Sequence, residues 1–242
     1  MRPYYEDEFI TLYNADCLSV LPTVPRFRVM LTDPPYPNDQ RFPATWDFIG
    51  RFAAASYEAA EDNAWLVSDF SRIAIKEFLS CFDPWVYVDM LAAFVSNSMA
   101  NCRFGIDRFT PSFVFSKGSP KVFQRRSNTV DATRRGSGIE WVDHPSPKYL
   151  RAYAYYIAML LPQNGLLVDP FAGSGTSLVA CKRLNRKAIG IEIEEKYCRI
   201  IVERLSQCEM GLGALNMESS LTSANTPMQL SAFGTEPEAP SA

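Results

Sequence analysis

The sequence predicts an α/β domain in which a mostly parallel β-sheet carries helices on both faces. Short apolar runs alternate with longer segments of helical spacing, and two of the runs end in distinctive polar motifs. Strands and helices that alternate along a chain form parallel sheets through crossover connections. Hydrophobic residues make up 47% of the 242 residues, which is enough to bury a core. We therefore expect a single domain over residues 1–208.

The elements expected in the first half follow hydrophobic periodicity and the positions of proline. Apolar residues at near-helical spacing favour a first long helix, and Pro84 ends the second one. The polar, basic and glycine-containing residues 124–143 predict a mobile loop. In chain order we expect a strand at 27–32, a helix at 46–62, a strand at 64–67, a helix at 71–82, a strand at 85–88, and strands at 113–115 and 122–123 that form a hairpin around 117–120.

The second half alternates helices and strands more regularly. Ser146 is a suitable N-cap and Pro147 a suitable first-turn residue for the first helix. From 209 to 242 there are four acidic residues and no Lys or Arg, and Ser, Thr and Pro are frequent, which predicts a disordered acidic tail. The expected elements are a helix at 146–161, a strand at 165–169, a helix at 175–184, a strand at 188–192 and a helix at 195–206.

The composition argues against several classes of protein. Six cysteines without a Cys-x-x-Cys pair, together with a single histidine, give no zinc-ligand spacing and make a disulfide framework unexpected. We expect no metal. The N-terminus is acidic and aromatic, unlike a signal sequence, and no apolar run reaches the length of a membrane span. These features favour a reducing, cytoplasmic location without membrane contact.

The charge is unevenly distributed along this acidic chain. The net charge is −3, yet residues 101–143 hold eight basic and four acidic side chains. Such a segment is either a solvated basic surface or a contact surface for nucleic acid.

The strand at 27–32 ends in Asp33-Pro34-Pro35-Tyr36, which we call the clamp. Proline fixes φ and biases the preceding residue to extended geometry, so the Asp33 carboxylate and the Pro34 carbonyl are held in place. Two adjacent acceptors and an aromatic ring suit a planar substrate with an exocyclic amine. One amine hydrogen meets the carboxylate, the other meets the carbonyl, and Tyr36 stacks on the ring.

Residues 165–176 predict a binding loop for a nucleoside cofactor. An apolar strand ends at Asp169 and runs into the glycine loop, Pro170-Phe171-Ala172-Gly173-Ser174-Gly175-Thr176, which opens a helix. Helix N-termini attract carboxylates or phosphates, and an acid after the next strand, here Glu192, is placed to bind ribose hydroxyls. A nicotinamide motif needs a third glycine and a P-loop needs a lysine, and both are missing. What remains is a nucleoside with a small zwitterionic end, such as S-adenosylmethionine.

Together these motifs resemble those of amino-group DNA methyltransferases. The clamp is similar to the catalytic motif of that family, and Asp169 with the glycine loop is similar to its cofactor motif. Because the catalytic motif comes first, the order resembles the permuted β class. Asn14-Ala15-Asp16-Cys17-Leu18 and His144-Pro145-Ser146-Pro147-Lys148 resemble two further family segments, and the resemblance spans about residues 10–208. It implies a Rossmann-like fold that uses S-adenosylmethionine, in circularly permuted order.

The resemblance also implies roles for individual residues. Asp33, Pro34, Pro35 and Tyr36 would hold the target base. Asp169, Pro170, Phe171, Ala172, Gly173, Ser174, Gly175 and Thr176 would hold the methionine end of the cofactor, Glu192 the ribose and Asp16 the adenine. Lys148 would approach the methionine carboxylate. Asp16 as a helix N-cap, and Glu192 and Lys148 as surface residues, remain alternatives.

The expected partner is DNA, either a duplex with a flipped-out base or a single strand. Arg125, Arg126, Arg134 and Arg135 of the basic segment are the expected phosphate contacts. An Asp at the first motif position goes mostly with N6 of adenine in this family, with N4 of cytosine as the alternative. Methylation of RNA or of a protein amide, and DNA binding without turnover, are further alternatives. Related enzymes are prokaryotic or phage-encoded and often form homodimers.

Overall fold

The computed structural model of the protein describes residues 1–37, 44–70, 74–99, 101–133 and 149–210. A short 3-10 helix covers Leu21–Thr23. The strands in these ranges are β1 (Tyr5–Glu6), β2 (Ile10–Asn14), β3 (Phe27–Thr32), β4 (Ala60–Asp69), β5 (Val86–Phe94), β6 (Asn101–Cys102), β7 (Gly105–Ile106), β8 (Phe109–Lys117), β9 (Thr129–Asp131), β10 (Leu166–Asp169) and β11 (Lys187–Glu192). The α-helices are α1 (Cys17–Val20), α2 (Trp46–Ala59), α3 (Ile75–Cys81), α4 (Leu150–Leu160), α5 (Thr176–Arg183) and α6 (Glu195–Met210).

Nine of these strands form one sheet in the order β1-β2-β11-β10-β3-β4-β8-β5-β9. β1 and β8 run antiparallel to their neighbours, while the other strands run in one direction. The C-terminal ends of the parallel strands therefore lie along the same side of the sheet, which we call the carboxyl edge. Ligands of open α/β sheets bind at this edge.

Helices cover both faces of the sheet, as the sequence predicted. α4, α5 and α6 pack on one face, and α1, α2 and α3 pack on the other. In α2 the buried residues Ile49, Phe52 and Ala53 recur at helical spacing, and the Thr45 hydroxyl caps the helix by accepting from the Phe48 amide at 3.1 Å. Each face thus contributes its own apolar core.

α4 is buried on nearly all sides, which explains its continuous run of Ala, Tyr, Ile, Met and Leu. The segment that follows β8 packs over it, because the amides of Phe123 and Gln124 both donate to the Met159 carbonyl at 3.0 Å. The Tyr155 hydroxyl donates to the Ser127 carbonyl at 3.1 Å. The helix therefore lies between the sheet and a covering loop.

Three predictions for the first half were wrong. Val122 and Phe123 form no strand and are 42% and 55% exposed, because β8 pairs with β4 and β5 instead of folding back in a hairpin. The described part of the expected loop, residues 124–133, contains β9, which pairs with β5, while residues 134–143 lie outside the described residues. The first long helix ends at Ala59, since β4 begins at Ala60.

The expected strand at 27–32 is confirmed with the same bounds, and the expected helices and strands of 165–206 are confirmed to within a few residues. The helix expected at 146–161 is α4, but it begins later than expected, at Leu150 with Tyr149 as its N-cap, so Ser146 is not the cap. Ser146 and Pro147 themselves lie outside the described residues. Most of the acidic tail, 211–242, also lies outside them. None of the described helices has the length and apolarity required to cross a membrane.

Candidate active site

The polar residues singled out in the two motifs meet at the carboxyl edge. Asp33 follows β3, and Asp169 is the last residue of β10, the strand next to it. The Thr32 hydroxyl donates to the Asp169 carboxylate at 3.0 Å, which ties the two strand ends together. Chain positions 137 residues apart are therefore neighbours in space, and the clamp faces the start of the glycine loop.

The clamp is held by its own tyrosine and by a wall of aromatic rings. The Tyr36 hydroxyl donates to Oδ1 of Asp33 at 2.6 Å. The Tyr36 ring meets Phe70 edge-on with centroids 4.7 Å apart, and Phe70 stacks on Phe78 at 3.9 Å. Pro34 is buried, while Asp33 and Tyr36 remain partly open to solvent. A rigid acceptor beside a partly exposed ring can receive a flat substrate.

Two glycines shape the loop after β10. Gly173 and Gly175 have φ values of 51° and 77°, a region that favours glycine. A Cβ on Gly175 would lie 2.8 Å from Cγ1 of Ile201 in α6, so the loop packs directly against that helix. The Gly175 amide donates to the Ala172 carbonyl at 2.7 Å, and α5 begins at Thr176. The backbone can therefore approach a ligand at the N-terminus of α5.

Asp169 is 3% exposed and accepts three hydrogen bonds. The donors are the hydroxyls of Thr32 and Ser177 and the Phe171 amide. Burial raises the pKa of Asp169 to about 7, although these hydrogen bonds oppose the shift. A positively charged ligand nearby would favour the ionised carboxylate.

Glu192 and Asp16 lie on adjacent strand ends beyond Asp169. The Glu192 carboxylate accepts from the amides of Gly173 and Glu194, both at 2.8 Å, and burial raises the pKa of Glu192. Asp16 is exposed and caps α1 by accepting from the Leu18 amide at 2.7 Å, so the N-cap expectation is confirmed. The Asn14 side chain donates to the Glu192 carbonyl at 3.0 Å and fixes the two ends together.

Arg204 of α6 was not singled out from the sequence, although it donates hydrogen bonds to two residues of the glycine loop. This guanidinium in α6 is 9% exposed and donates to the Ser174 carbonyl and, at 3.4 Å, to the Thr176 hydroxyl. Nothing in the local sequence around Arg204 indicates this contact, which joins residues 30 positions apart. Ile193, a 65% exposed apolar residue directly after Glu192, was also not singled out from the sequence.

The expected DNA contacts are only partly described. Arg125 is exposed, and Arg126 lies over the Tyr155 ring at 5.1 Å and donates to Gln124. Arg134 and Arg135 lie outside the described residues, and so does Lys148, the expected contact of the methionine carboxylate. The structure therefore brings Asp16, Asp33, Asp169 and Glu192 to one edge and leaves these other predictions open.

A hairpin that the sequence did not predict lies at the carboxyl edge. β6 and β7 pair between the end of β5 and the start of β8, where Phe94 opposes Phe109. Phe104 at its tip is 96% exposed, Met99 before it is 83% exposed, and Arg103 is also exposed. Apolar and cationic side chains thus project on the same side of the sheet as Asp33.

No cluster of His, Cys, Asp and Glu among the described residues could hold a metal ion. Burial raises the pKa of the Cys17 thiol to about 12, and burial also raises the pKa of Cys181. These two thiols stay protonated near neutral pH and are poor nucleophiles.

The chemical groups of this site are suited to binding S-adenosylmethionine. The sterically restricted loop offers backbone amides at a helix start, and two buried carboxylates adjoin it. Such a set matches a ligand with a carboxylate, a cationic sulfonium and ribose hydroxyls.

Comparison with known proteins identifies the family. The model of a family of DNA methylases that act on N6 or N4 amines matches residues 27–203, more than half of the chain. The type II methyltransferase M.ScaI of Streptomyces caespitosus is 24% identical over 261 aligned positions, which cover 84% of each protein.

Two solved structures share the fold. The complex of M1.HpyAVI with S-adenosylmethionine is 24% identical with a TM-score of 0.67, over 81% of this chain and 99% of that one. PvuII DNA methyltransferase, described as cytosine-N4-specific, is 17% identical with a TM-score of 0.74, over 91% and 94%. The range matched by the family model, 27–203, includes both the clamp and the glycine loop. The chain belongs to the N6/N4 family of S-adenosylmethionine-dependent DNA methyltransferases.

Proposed function

We propose that this enzyme methylates the exocyclic N6 amine of adenine in DNA, on a base flipped out of the helix. The observation that carries this proposal is the placement of Asp33 directly after β3, the strand beside the one that leads into the glycine loop, with its carboxylate 2.6 Å from the Tyr36 hydroxyl that donates to it. An Asp in this motif position goes mostly with adenine in the family that the clamp resembles.

The chemistry requires an amine whose lone pair is made available. That lone pair is normally delocalised into the base. When Asp33 and the Pro34 carbonyl accept the two amine hydrogens, they favour a pyramidal nitrogen. Bound S-adenosylmethionine supplies an electrophilic methyl group on its sulfonium. The N–C bond then forms as the S–C bond breaks, and the Asp33 carboxylate is already hydrogen-bonded to the proton that the nitrogen must lose. Positioning and preorganised dipoles provide the acceleration.

The cofactor contacts follow from the strand ends. Asp169 and the loop from Pro170 to Thr176 hold the methionine end, and Glu192 accepts from the ribose hydroxyls. One carboxylate oxygen of Asp16 caps α1, and the carboxylate can accept further hydrogen bonds. We assign this remaining acceptor to the adenine. Ile193, 65% exposed beside Glu192, covers the adenine ring. Lys148 remains a proposed contact of the methionine carboxylate.

The DNA lies along the carboxyl edge in this proposal. A base inside a duplex cannot reach Asp33, so it must leave the stack. The Tyr36 ring offsets part of the lost stacking, at about 1–3 kcal/mol for a base–aromatic contact. The basic segment, which includes Arg125, Arg126, Arg134 and Arg135, contributes phosphate contacts, and Arg103 on the exposed hairpin is a further candidate.

A label-transfer experiment tests the proposal. The full chain is incubated with S-adenosylmethionine labelled in the methyl group and with unmethylated genomic DNA, RNA or total protein, and the products are digested to nucleosides or amino acids. We expect the label in N6-methyladenine. Label in N4-methylcytosine would retain DNA methylation but reject adenine as the target.

Two further outcomes of the label-transfer experiment would reject DNA methylation itself. Label found only in RNA or protein would move the activity to another substrate class. Cofactor binding and DNA binding without any transfer would indicate a regulator, which has no need for an intact clamp. The oligomeric state remains a prediction, and sedimentation at the assay concentration tests whether the enzyme is a homodimer.

A further inference from the structure

A buried polar cluster that neither motif contains lies directly behind the clamp. Asp69, the last residue of β4, is 2% exposed. Its carboxylate accepts from the hydroxyl of Ser112, the residue opposite it on β8, and from the Tyr153 hydroxyl of α4 at 3.0 Å. The cluster therefore joins three elements at the carboxyl edge.

Burying the Asp69 carboxylate costs free energy, so its position behind the clamp suggests a role other than stability. A carboxylate removed from water needs hydrogen bonds to compensate, and an apolar replacement of similar volume is often equally stable. Here two of the donors are hydroxyls from distant parts of the chain, 43 and 84 residues away from Asp69. Directional bonds of this kind fix the position of a strand end more tightly than apolar contacts do.

The strand end fixed in this way carries one wall of the clamp. Phe70, the residue after Asp69, meets the Tyr36 ring edge-on at 4.7 Å. The Tyr36 hydroxyl in turn donates to Oδ1 of Asp33 at 2.6 Å. A continuous series of contacts thus runs from Asp69 through Phe70 and Tyr36 to Asp33.

The same cluster is also close to the cofactor side of the site. The pKa of Tyr153 is raised well above its ordinary value, first by burial and then by the negative charges of Asp69, Asp33 and Asp169. Tyr153 therefore lies within electrostatic reach of the clamp and of the strand that opens the glycine loop.

We propose that Asp69, Ser112 and Tyr153 form a positioning cluster that holds Phe70 against Tyr36 and so keeps Asp33 aligned with the amine during methyl transfer. None of the three touches the reacting atoms. The inference rests on the proposed roles of Asp33 and Tyr36.

The first test compares rates and affinities. Tyr153→Phe removes one hydroxyl and keeps the ring, and Asp69→Asn keeps the volume but loses the ability to accept equally from both hydroxyls. Because small misplacements of reacting groups cost large factors in rate, we expect the single-turnover rate of transfer to DNA to fall about tenfold in Asp69→Asn and about threefold in Tyr153→Phe. Cofactor affinity and the KM for DNA should stay within about twofold, since the cluster contacts neither.

Ser56→Ala is the matched control. Ser56 is also fully buried, and its hydroxyl accepts at 3.0 Å from Nε1 of Trp85, the residue before β5. This variant should lower the melting temperature by an amount similar to Tyr153→Phe and leave the rate unchanged. If Tyr153→Phe behaves in the same way, with a lower melting temperature and an unchanged rate, the cluster is merely structural and the inference is wrong.

A second measurement does not depend on activity. We expect hydrogen exchange in a peptide that spans residues 29–37 to become faster in Tyr153→Phe than in the wild type, and to stay unchanged in Ser56→Ala. Unchanged exchange in Tyr153→Phe would overturn the inference even if Asp69→Asn failed to fold. If the wild type transfers no label to DNA, the proposed function fails, and the exchange measurement still decides whether the cluster positions the clamp.

Discussion

The two halves of the active site are held in place by different kinds of contact. On the cofactor side, polar groups are fixed by partners from distant parts of the chain: Asp169 by Thr32, Glu192 by Gly173, and the Ser174 carbonyl by Arg204. On the clamp side, the Asp33 carboxylate accepts from Tyr36, three residues away, and aromatic rings form the wall behind them.

This difference indicates how each half responds to substitution. Directional bonds and close packing fix the cofactor loop, so changes there should alter cofactor affinity first. The clamp acts on the amine and not on the cofactor, so changes there should alter the rate of transfer. The following predictions test that division.

The largest effect is expected for Asp33→Asn. This change replaces a charged acceptor of the amine hydrogen with an amide, and we expect the rate of transfer to fall by about 10²–10³ or more. Cofactor affinity measured by calorimetry should remain within about twofold, because Asp33 belongs to the clamp. Asp89→Asn, on the exposed side of β5, is the control with the same change in charge. A loss of cofactor binding in Asp33→Asn would mean that the two halves are not separable.

The next effect is expected for Gly175→Ala. The φ of 77° costs an L-residue about 1–2 kcal/mol, and the new Cβ would lie 2.8 Å from Ile201. We expect about a tenfold to hundredfold loss of cofactor affinity, since the loop must shift. Gly50→Ala, inside α2 where no atom lies within 4 Å of the new Cβ, should instead be neutral or slightly stabilising. Adding Ile201→Ala to Gly175→Ala should restore part of the affinity, and no recovery would place the defect in the backbone conformation alone.

A third prediction concerns the pH dependence of stability that Asp169, a residue of the cofactor side, should cause. The pKa of Asp169 is raised to about 7, so the folded state holds this proton more tightly than the unfolded state does. The stability contributed by the group is complete below its ordinary pKa of 3.8 and is lost as pH rises through about 7. Thermal melts of the cofactor-free wild type should therefore show a decrease in stability between about pH 4 and 7 that Asp169→Asn lacks.

Cofactor binding should show the opposite trend. A sulfonium or ammonium group near Asp169 favours the carboxylate, so binding releases a proton and affinity should rise with pH near 7, by at most about tenfold per pH unit. Calorimetry in two buffers of different ionisation enthalpy measures the proton released. An affinity independent of pH would place the cofactor's cationic groups away from Asp169.

A different division, between local and long-range contacts, explains what could be predicted from the sequence. The strand Phe27–Thr32 and the glycine loop were predicted because each is a local pattern, an apolar run ending in a fixed motif. Arg204 and Asp69 could not be found, since their partners are 30 to 84 residues away and only the sheet brings them together. β9 was missed because a three-residue strand inside a basic segment has too short a pattern.

The smallest effect is expected on the DNA surface, where the contacts are electrostatic and exposed. We expect Arg125→Gln with Arg126→Gln to weaken DNA binding at low salt and to reduce the slope of log K against log salt by up to about 0.9 for each phosphate that the variant no longer neutralises. The effect should be largest for Arg125, since Arg126 is already engaged with Gln124 and the Tyr155 ring.

The matched control for this pair is Arg183→Gln with Lys187→Gln, which removes the same charge. Both side chains are exposed, and they lie at the end of α5 and the start of β11, on the side of the sheet opposite the clamp. Charge that acts only through the net field of the protein would lower affinity equally in both pairs, whereas direct phosphate contacts would lower the slope only in the arginine pair. Equal slopes for the wild type and the arginine pair would exclude Arg125 and Arg126 from the DNA surface and leave Arg134, Arg135 and the exposed hairpin with Arg103 as the candidates to vary next.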